Sequence, residues 1–297
     1  MPKAPNSDQP VVCLPKPLPK AKWVEAARTA TAVNPLNHPP VNRLMMIHKS
    51  FKPTPQSIAV LTTKFWGPKG VQLTVGFMDV TSPTMKSRIL AQMNAWNKTA
   101  NVQFVQTSTD PQVRIATVPG DGHWSYLGTD ILTIAKNEPT MNLDSFSMST
   151  PDSEYVRVVR HETGHTMGCP HEHMRRALVQ LIDPQKAIKF FGQTQGWSPD
   201  MVRRQVLTPI EESSLLGTLE SDPKSIMCYQ IPGIITKNGK PILGGTDIDK
   251  SDFSFMATIY PKPSSTGGAK KSAAARAGKK RRRPTGPTKK SKTAKKR

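Results

Sequence analysis

The sequence predicts an α+β domain, and three observations predict it. Residues 71–75 (Val-Gln-Leu-Thr-Val) alternate apolar and polar, as a half-buried strand does. Ser82-Pro83 then opens a long helix, with Ser as N-cap and Pro at the first helical position. Several short strand-like runs follow before a second long helix at residues 152–167. Strand, helix, strands, helix is the order of a sheet with helices laid against it.

Taken along the chain, the elements carry these signals. Residues 1–20 hold Pro and Lys with no continuous apolar segment and read as a flexible arm. A short amphipathic helix fits residues 22–32, ended by Pro35, Pro39 and Pro40. Met45, Met46 and Ile47 are candidates to pack on the main domain, which opens near Leu61. Met85, Ile89, Met93 and Trp96 mark one face of the helix after Ser82. Strands are expected at 102–106 and 113–117, a turn at Gly120-Asp121-Gly122, a strand with an irregular start over 124–134, and another at 140–143. Past residue 171 the pattern gives short helices at 183–191 and 198–206 and a final helix at 249–260. Asp247-x-Asp249-x-Ser251 lacks the Gly and terminal Glu of a calcium loop, so it reads as helix-start chemistry.

The 297 residues carry a formal net charge of +21, unevenly spread. Fifteen of the 42 Lys and Arg, and none of the 21 Asp and Glu, fall in residues 262–297, which leaves only +6 on the rest. Those last residues have nothing to bury and are expected to be disordered. Three cysteines exclude a disulfide framework, and no apolar run has the length of a membrane span. With no visible secretory signal, the expectation is a cytoplasmic protein or one exported by a non-classical route.

The chemistry is concentrated in His161-Glu162-Thr163-Gly164-His165, continued by Gly168 and His171. Residues four apart share a helix face, so His161 and His165 can offer imidazole nitrogens to one ion. Gly168 lets the chain leave the helix with positive φ, and the sharp exit lets His171 return as a third ligand. Three imidazoles leave one position open to water, the arrangement of a catalytic rather than a structural Zn2+. Glu162, beside the first ligand, is the candidate general base.

With its continuation Glu172-His173-Met174-Arg175, this segment resembles the zinc motif of the astacin family of metzincin metallopeptidases. Ser225-Ile226-Met227-Cys228-Tyr229 is similar to the family's Met-turn, and 122–128 to the strand that borders its cleft. The resemblance covers residues 61–261. It implies a metzincin-like domain with a twisted mixed sheet, a backing helix, an active-site helix and a C-terminal subdomain. Met227 then lies beneath the zinc ligands, and Tyr229 is a displaceable zinc ligand able to bind the oxyanion. Glu172 is the residue that in this family meets the trimmed N-terminus. The chain departs from the family in carrying Cys228 where His is usual, in lacking the acidic run after Arg175, and in having too few cysteines for the usual disulfides. It therefore resembles a divergent, disulfide-poor, microbial branch, with residues 1–60 as an arm or pro-segment.

The function implied is a zinc endopeptidase acting on peptides or proteins, with Glu162 as general base and acid. The alternative is a weak or latent peptidase-fold protein that acts through residues 262–297 on nucleic acid or an anionic envelope, by counterion release. A solvated tail without partners is the simpler reading of that segment, and the oligomeric state is not encoded in any pattern here. Cys13 has two readings: an inert thiol in the arm, which is the simpler, or a thiolate cap on the ion. Cys169 and Cys228 read as buried free thiols near the site. His123 borders the cleft, His173 stabilises the turn after the motif, and His38 and His48 lie outside any ligand pattern.

Overall fold

The computed structural model describes residue 13 and residues 16–47, 50, 53–209 and 221–263. The chain divides into two compact units, Met1–Lys262 and Pro263–Arg297, and almost all described residues belong to the first. The disordered basic tail expected from composition lies outside the described residues.

A five-stranded mixed sheet organises this unit, in the order β2-β1-β3-β5-β4. Its strands are β1 (Val71–Phe77), β2 (Val102–Gln106), β3 (Val113–Ala116), β4 (Trp124–Ser125) and β5 (Met141–Asn142). All neighbours pair in parallel except β4 and β5, which are antiparallel. The alternation in β1 has the expected result: Leu73 and Val75 are fully buried. β4 is the edge strand on the β5 side, with no further strand paired to it among the described residues.

Helices α1 (Trp23–Val33), α2 (Val41–Ile47) and α3 (Pro55–Leu61) precede the sheet, and α4 (Pro83–Met93) backs it. Ser82 caps α4 by accepting the Met85 N–H at 3.3 Å, and Met85, Ile89 and Met93 are its buried stripe. The second long helix comprises α5 (Asp152–Glu154), a π-helical turn over Tyr155–Val159, and α6 (Arg160–Thr166). Beyond it lie α7 (Arg176–Val179), α8 (Pro184–Gln195), α9 (Pro199–Val202) and the C-terminal α10 (Lys250–Ile259). Asp249 caps α10 in a reciprocal capping box with Asp252, so the acidic cluster there is helix-start chemistry.

Two apolar clusters form the interior. One lies between sheet, α4 and α6 and includes Leu73, Ile89, Trp96, Ile115 and Met256. The other builds the C-terminal subdomain around Phe191, whose ring stacks on Trp197 with centroids 5.2 Å apart. Met167 and Met227 belong to the first cluster, Cys228 and Tyr229 to the second, so the seam between them runs through the histidine motif and the turn beneath it.

Three expectations need correction. Only Trp124–Ser125 of the strand expected over 124–134 is extended; Gly128–Thr133 is a 3-10 helix. Gly128 has φ +47°, and a Cβ there would lie 1.9 Å from the Lys64 carbonyl oxygen. The Thr129 N–H donates to that same oxygen at 3.0 Å, so the chain must turn under Lys64 instead of extending. Met45 and Met46 are exposed, whereas Leu44 of α2 is buried; the side chain of Ile47 lies outside what the structure describes. Nor do the described residues of the arm stand free. Cys13 and Leu18 are buried, α1 buries Ala26, Ala27 and Ala30, and the Asn37 side chain bonds Phe65 through both its backbone N–H and its carbonyl.

Candidate metal centre

His161 and His165 project from successive turns of α6, and the helix ends where Gly168 takes φ +101°. A Cβ at Gly168 would meet Phe65 Cδ1 at 3.0 Å and the Lys64 carbonyl at 3.1 Å, so glycine is required by both backbone angle and space. The chain then doubles back, and the Glu172 N–H donates to the Met227 carbonyl at 2.8 Å. That bond brings His171 to the two helix histidines. Its Nε2 lies 3.0 Å from Nε2 of His165 and 3.3 Å from Nε2 of His161.

The tautomers follow from the other ring nitrogens. His161 Nδ1 donates to the Ile226 carbonyl at 2.6 Å, and His165 Nδ1 to the Cys169 carbonyl at 2.7 Å. A carbonyl only accepts, so both Nδ1 atoms carry the proton and both Nε2 atoms present bare lone pairs. A proton on His171 Nε2 can satisfy one of those lone pairs and not both. A cation at their meeting point satisfies all three. Tetrahedral zinc, with Zn–N of about 2.0–2.1 Å, holds its nitrogens roughly 3.3–3.4 Å apart, close to the spacings here. Burial also keeps the rings neutral: it pushes His165 down to about 4 and His161 and His171 well below the usual histidine range. The residues present therefore fit the ion.

Around this centre each further residue from the motifs has a definite place. Glu162 is buried, and its Oε2 has no hydrogen-bond partner. Burial raises its carboxyl to about 8, opposed by contact with the Cys13 thiol and by the Arg157 charge. Tyr229 is buried with its ring stacked on His173, centroids 3.9 Å apart, and its hydroxyl donates to the Cys13 carbonyl. Burial pushes that hydroxyl well above the usual tyrosine range, so it stays a neutral donor. His173 Nε2 donates to the Gln205 carbonyl at 3.0 Å, fixing the turn after His171. Glu172 pairs with Arg175 at 2.8 Å and accepts the Asp222 N–H at 2.9 Å. It therefore ties two segments together.

Met227 lies directly under α6, against Gly164. Its turn is held by Asp252 of α10, which accepts the Ser225 hydroxyl at 2.6 Å and the Ile226 N–H at 2.9 Å. Asp252 escaped the sequence reading; the only signal for it was its place three residues after the cap at Asp249. Cys169 and Cys228 are free buried thiols, as expected, and Cys169 Sγ rests 3.4 Å from Met256 Sδ.

Cys13 is the residue the simpler reading misplaced. It is buried, and its Sγ joins the three histidine nitrogens in a set whose members all lie within 4.8 Å of one another. Burial holds this thiol well above its usual range; a coordinated cation reverses that preference by stabilising the thiolate. Next to the centre is a cleft of about 370 Å3 whose lining includes His165, His171, Leu18, Trp23, Lys64 and Asp130. The Lys64 ammonium sits 3.4 Å from Asp130, whose carboxyl burial raises to about 6 against that cation's pull. Neither residue carried a sequence signal.

Comparison with known proteins agrees with this geometry. Residues 60–189 match the family model for the astacin peptidases. The structure is similar to that of myroilysin, at 32% identity with a TM-score of 0.63, covering 68% of this chain and 97% of that one. A crystal structure of myroilysin gives 32% identity and a TM-score of 0.52, over 67% of this chain and 86% of that one. The zinc metalloproteinase nas-27 of Caenorhabditis elegans is 31% identical over 98 residues, which are 33% of this chain. The match spans about a fifth (21%) of that curated relative's length. No helix among the described residues is long and apolar enough to cross a membrane. With its mixed sheet, its His-rich cluster and these relatives, the chain belongs to the astacin family of zinc metallopeptidases.

Proposed function

We propose that this chain is a zinc-dependent endopeptidase in which His161, His165 and His171 hold the ion and Glu162 is general base and acid. One observation carries the reading: three Nε2 atoms converge, those of His161 and His165 with bare lone pairs, beside a buried Glu162 carboxyl oxygen that has no hydrogen-bond partner among the described residues. When bound, zinc supplies Lewis acidity, lowering the pKa of water to about 7 and polarising the scissile carbonyl.

Every other role falls to the protein. Glu162 accepts a proton from the attacking water and passes it to the departing amine nitrogen, so the carboxylate is regenerated at each turnover. Tyr229, neutral and packed against His171, donates its hydroxyl to the oxygen on which negative charge develops. Second-nitrogen bonds from His161 and His165 to backbone carbonyls fix both rings in the orientation that presents Nε2. An extended peptide can add to the open edge of β4, which favours cleavage within a chain.

The test is metal dependence in a form whose site is accessible. Cleavage of a broad peptide library by the Cys13→Ser chain should stop on chelation and return with zinc. Cleavage that persists after complete metal removal, verified by elemental analysis, would sink the reading. Residues 262–297 support a further role by composition alone: their cationic charge suits a nucleic acid or an anionic surface.

A further inference from the structure

We propose that the cleft beside the metal centre selects a tyrosine side chain on the acyl side of the scissile bond, and that Lys64 and Asp130 read its hydroxyl. This deepens the zinc-peptidase reading above and rests on it. The cleft encloses about 370 Å3, within the roughly 300–1,000 Å3 of pockets that take a ligand group whole. Trp23, Leu127 and Pro170 give it apolar walls, and His165 and His171 line it where it meets the centre. Set into this lining are Lys64 and Asp130, whose side chains are only 9% and 13% exposed.

The pair is buried but under-bonded. Lys64 Nζ lies 3.4 Å from Asp130 Oδ1, longer than the about 2.7–2.9 Å of a charge-assisted hydrogen bond. Oδ1 makes no hydrogen bond among the described residues. A lysine ammonium carries several N–H donors, and this one has no other partner among the described residues. An aliphatic group in the cleft strips water from these charges and returns no bond. A carboxylate or a cation is repelled by one member of the pair. A phenol matches both: its O–H donates to the Asp130 carboxylate, its oxygen accepts from the Lys64 ammonium, and its ring packs on Trp23 and Pro170.

The position relative to the scissile bond follows from the proton. Glu162 delivers it to the departing amine, so the amine half of the substrate lies on the Glu162 side. A separate small cavity there is lined by Glu162, His161, Arg157 and His123. The larger cleft meets the centre at His165 and His171, and neither Glu162 nor His161 lines it. It therefore receives a residue N-terminal to the scissile bond. Ser125 of β4 and Leu127 just beyond it both line the cleft, so a peptide laid along that edge carries its side chains across the mouth.

Cleavage profiling of the Cys13→Ser zinc protein on a mixed-sequence peptide library tests this with every lining residue of the cleft intact. Tyr is expected to be favoured over Phe by about 10–150-fold at one position N-terminal to the cut, the worth of one hydrogen bond to a charged group. Lys64→Met combined with Asp130→Asn removes both charges together, so neither is left unpaired. In that form the Tyr-to-Phe ratio should fall to about one while Phe peptides are still cut. Equal use of Tyr and Phe, a preference for Gln or Asn at that position, or a Tyr preference only C-terminal to the cut overturns the pocket, while the cleavage itself upholds the peptidase reading. A binding arm needs no turnover. In ligand-observed NMR, N-acetyl-tyrosinamide should bind the zinc protein carrying Glu162→Gln and Cys13→Ser more tightly than N-acetyl-phenylalaninamide, and the difference should vanish with Lys64→Met and Asp130→Asn. Equal binding of the two amides overturns the pocket. If the difference is found but no form cleaves peptide, the tyrosine pocket stands and the peptidase reading fails.

Discussion

Met227 Sδ lies so close to the backbone of Gly164 that a Cβ on that glycine would be 2.3 Å from the sulfur. The second spacer residue of the histidine motif is therefore bare because the turn 63 residues later packs beneath it. This contact couples two segments that each orient the centre: Gly164 sits between the two helix histidines, and Ile226, next to Met227, supplies the carbonyl that holds His161.

Gly164→Ala should show that coupling. Alanine gains about 1 kcal/mol of helix propensity. Displacing a buried methionine costs about 1–3 kcal/mol, so the net effect is a loss of stability or near balance. The larger effect should be on the ion, because Met227 cannot move without Ile226. Zinc affinity is expected to fall about 10–100-fold, as for other outer-shell losses. Adding Met227→Ala should restore part of that affinity; a competition titration that finds no coupling between the two changes would disprove the mechanical link.

Glu162→Gln separates holding the ion from using it. The carboxylate touches none of the convergent nitrogens at hydrogen-bond distance, so zinc content should be unchanged. Cleavage, measured in the Cys13→Ser background, should drop by about 10²–10⁴-fold. Retained activity at full metal occupancy would remove Glu162 from the mechanism.

His123 gives the fold a defined acid sensitivity. Burial, reinforced by the Arg157 charge, pushes this ring down to about 4, and its Nδ1 accepts the Asp144 N–H at 3.0 Å. The unfolded chain therefore binds this proton more readily, and the stability is present above about pH 6.5 and lost as pH falls toward 4. His123→Asn keeps an acceptor and removes the titration. Between pH 7 and pH 4 the wild type should lose roughly 2–3 kcal/mol more than the variant, from a shift of that size at about 1.4 kcal/mol per unit. Denaturant midpoints at the two pH values measure it, and parallel losses would refute the assignment.

Residues 262–297 should bind polyanions through charge alone. Filter binding to mixed-sequence DNA, or sedimentation with anionic vesicles, is expected to weaken steeply and linearly in log–log form as salt rises. Deleting the segment should abolish binding and leave peptide cleavage intact. Equal binding by the truncated chain would exclude the tail as the contact.

Much of the fold was legible because its signals are local. Ser82-Pro83 and the Met85, Ile89, Met93 stripe define α4, and Asp249 defines the start of α10. The run from Trp124 to Ile134 misled because it is apolar enough for a strand. What bends it is the Lys64 carbonyl, 64 residues earlier in the chain than Gly128, which captures the Thr129 N–H and leaves that glycine no room for a side chain. Lys64, Asp130 and Arg157 gave no signal for a similar reason: each acts through a partner that only folding supplies.

The sequence by itself determined which groups are available for the chemistry and along which helix face they recur. His161 and His165 share a face because the helical period makes residues four apart neighbours, and Gly168 is there because the exit needs positive φ. Tertiary structure decided how those groups are used. The carbonyls of Ile226 and Cys169 select the tautomers of His161 and His165, and no local pattern encodes which carbonyl a ring will meet. The same holds for Cys13, which is 148 residues from His161 and reads as a thiol in an arm. Its place at the centre is set by Leu18, Lys16 and Tyr229, because a ligand's position is fixed by the packing that delivers it.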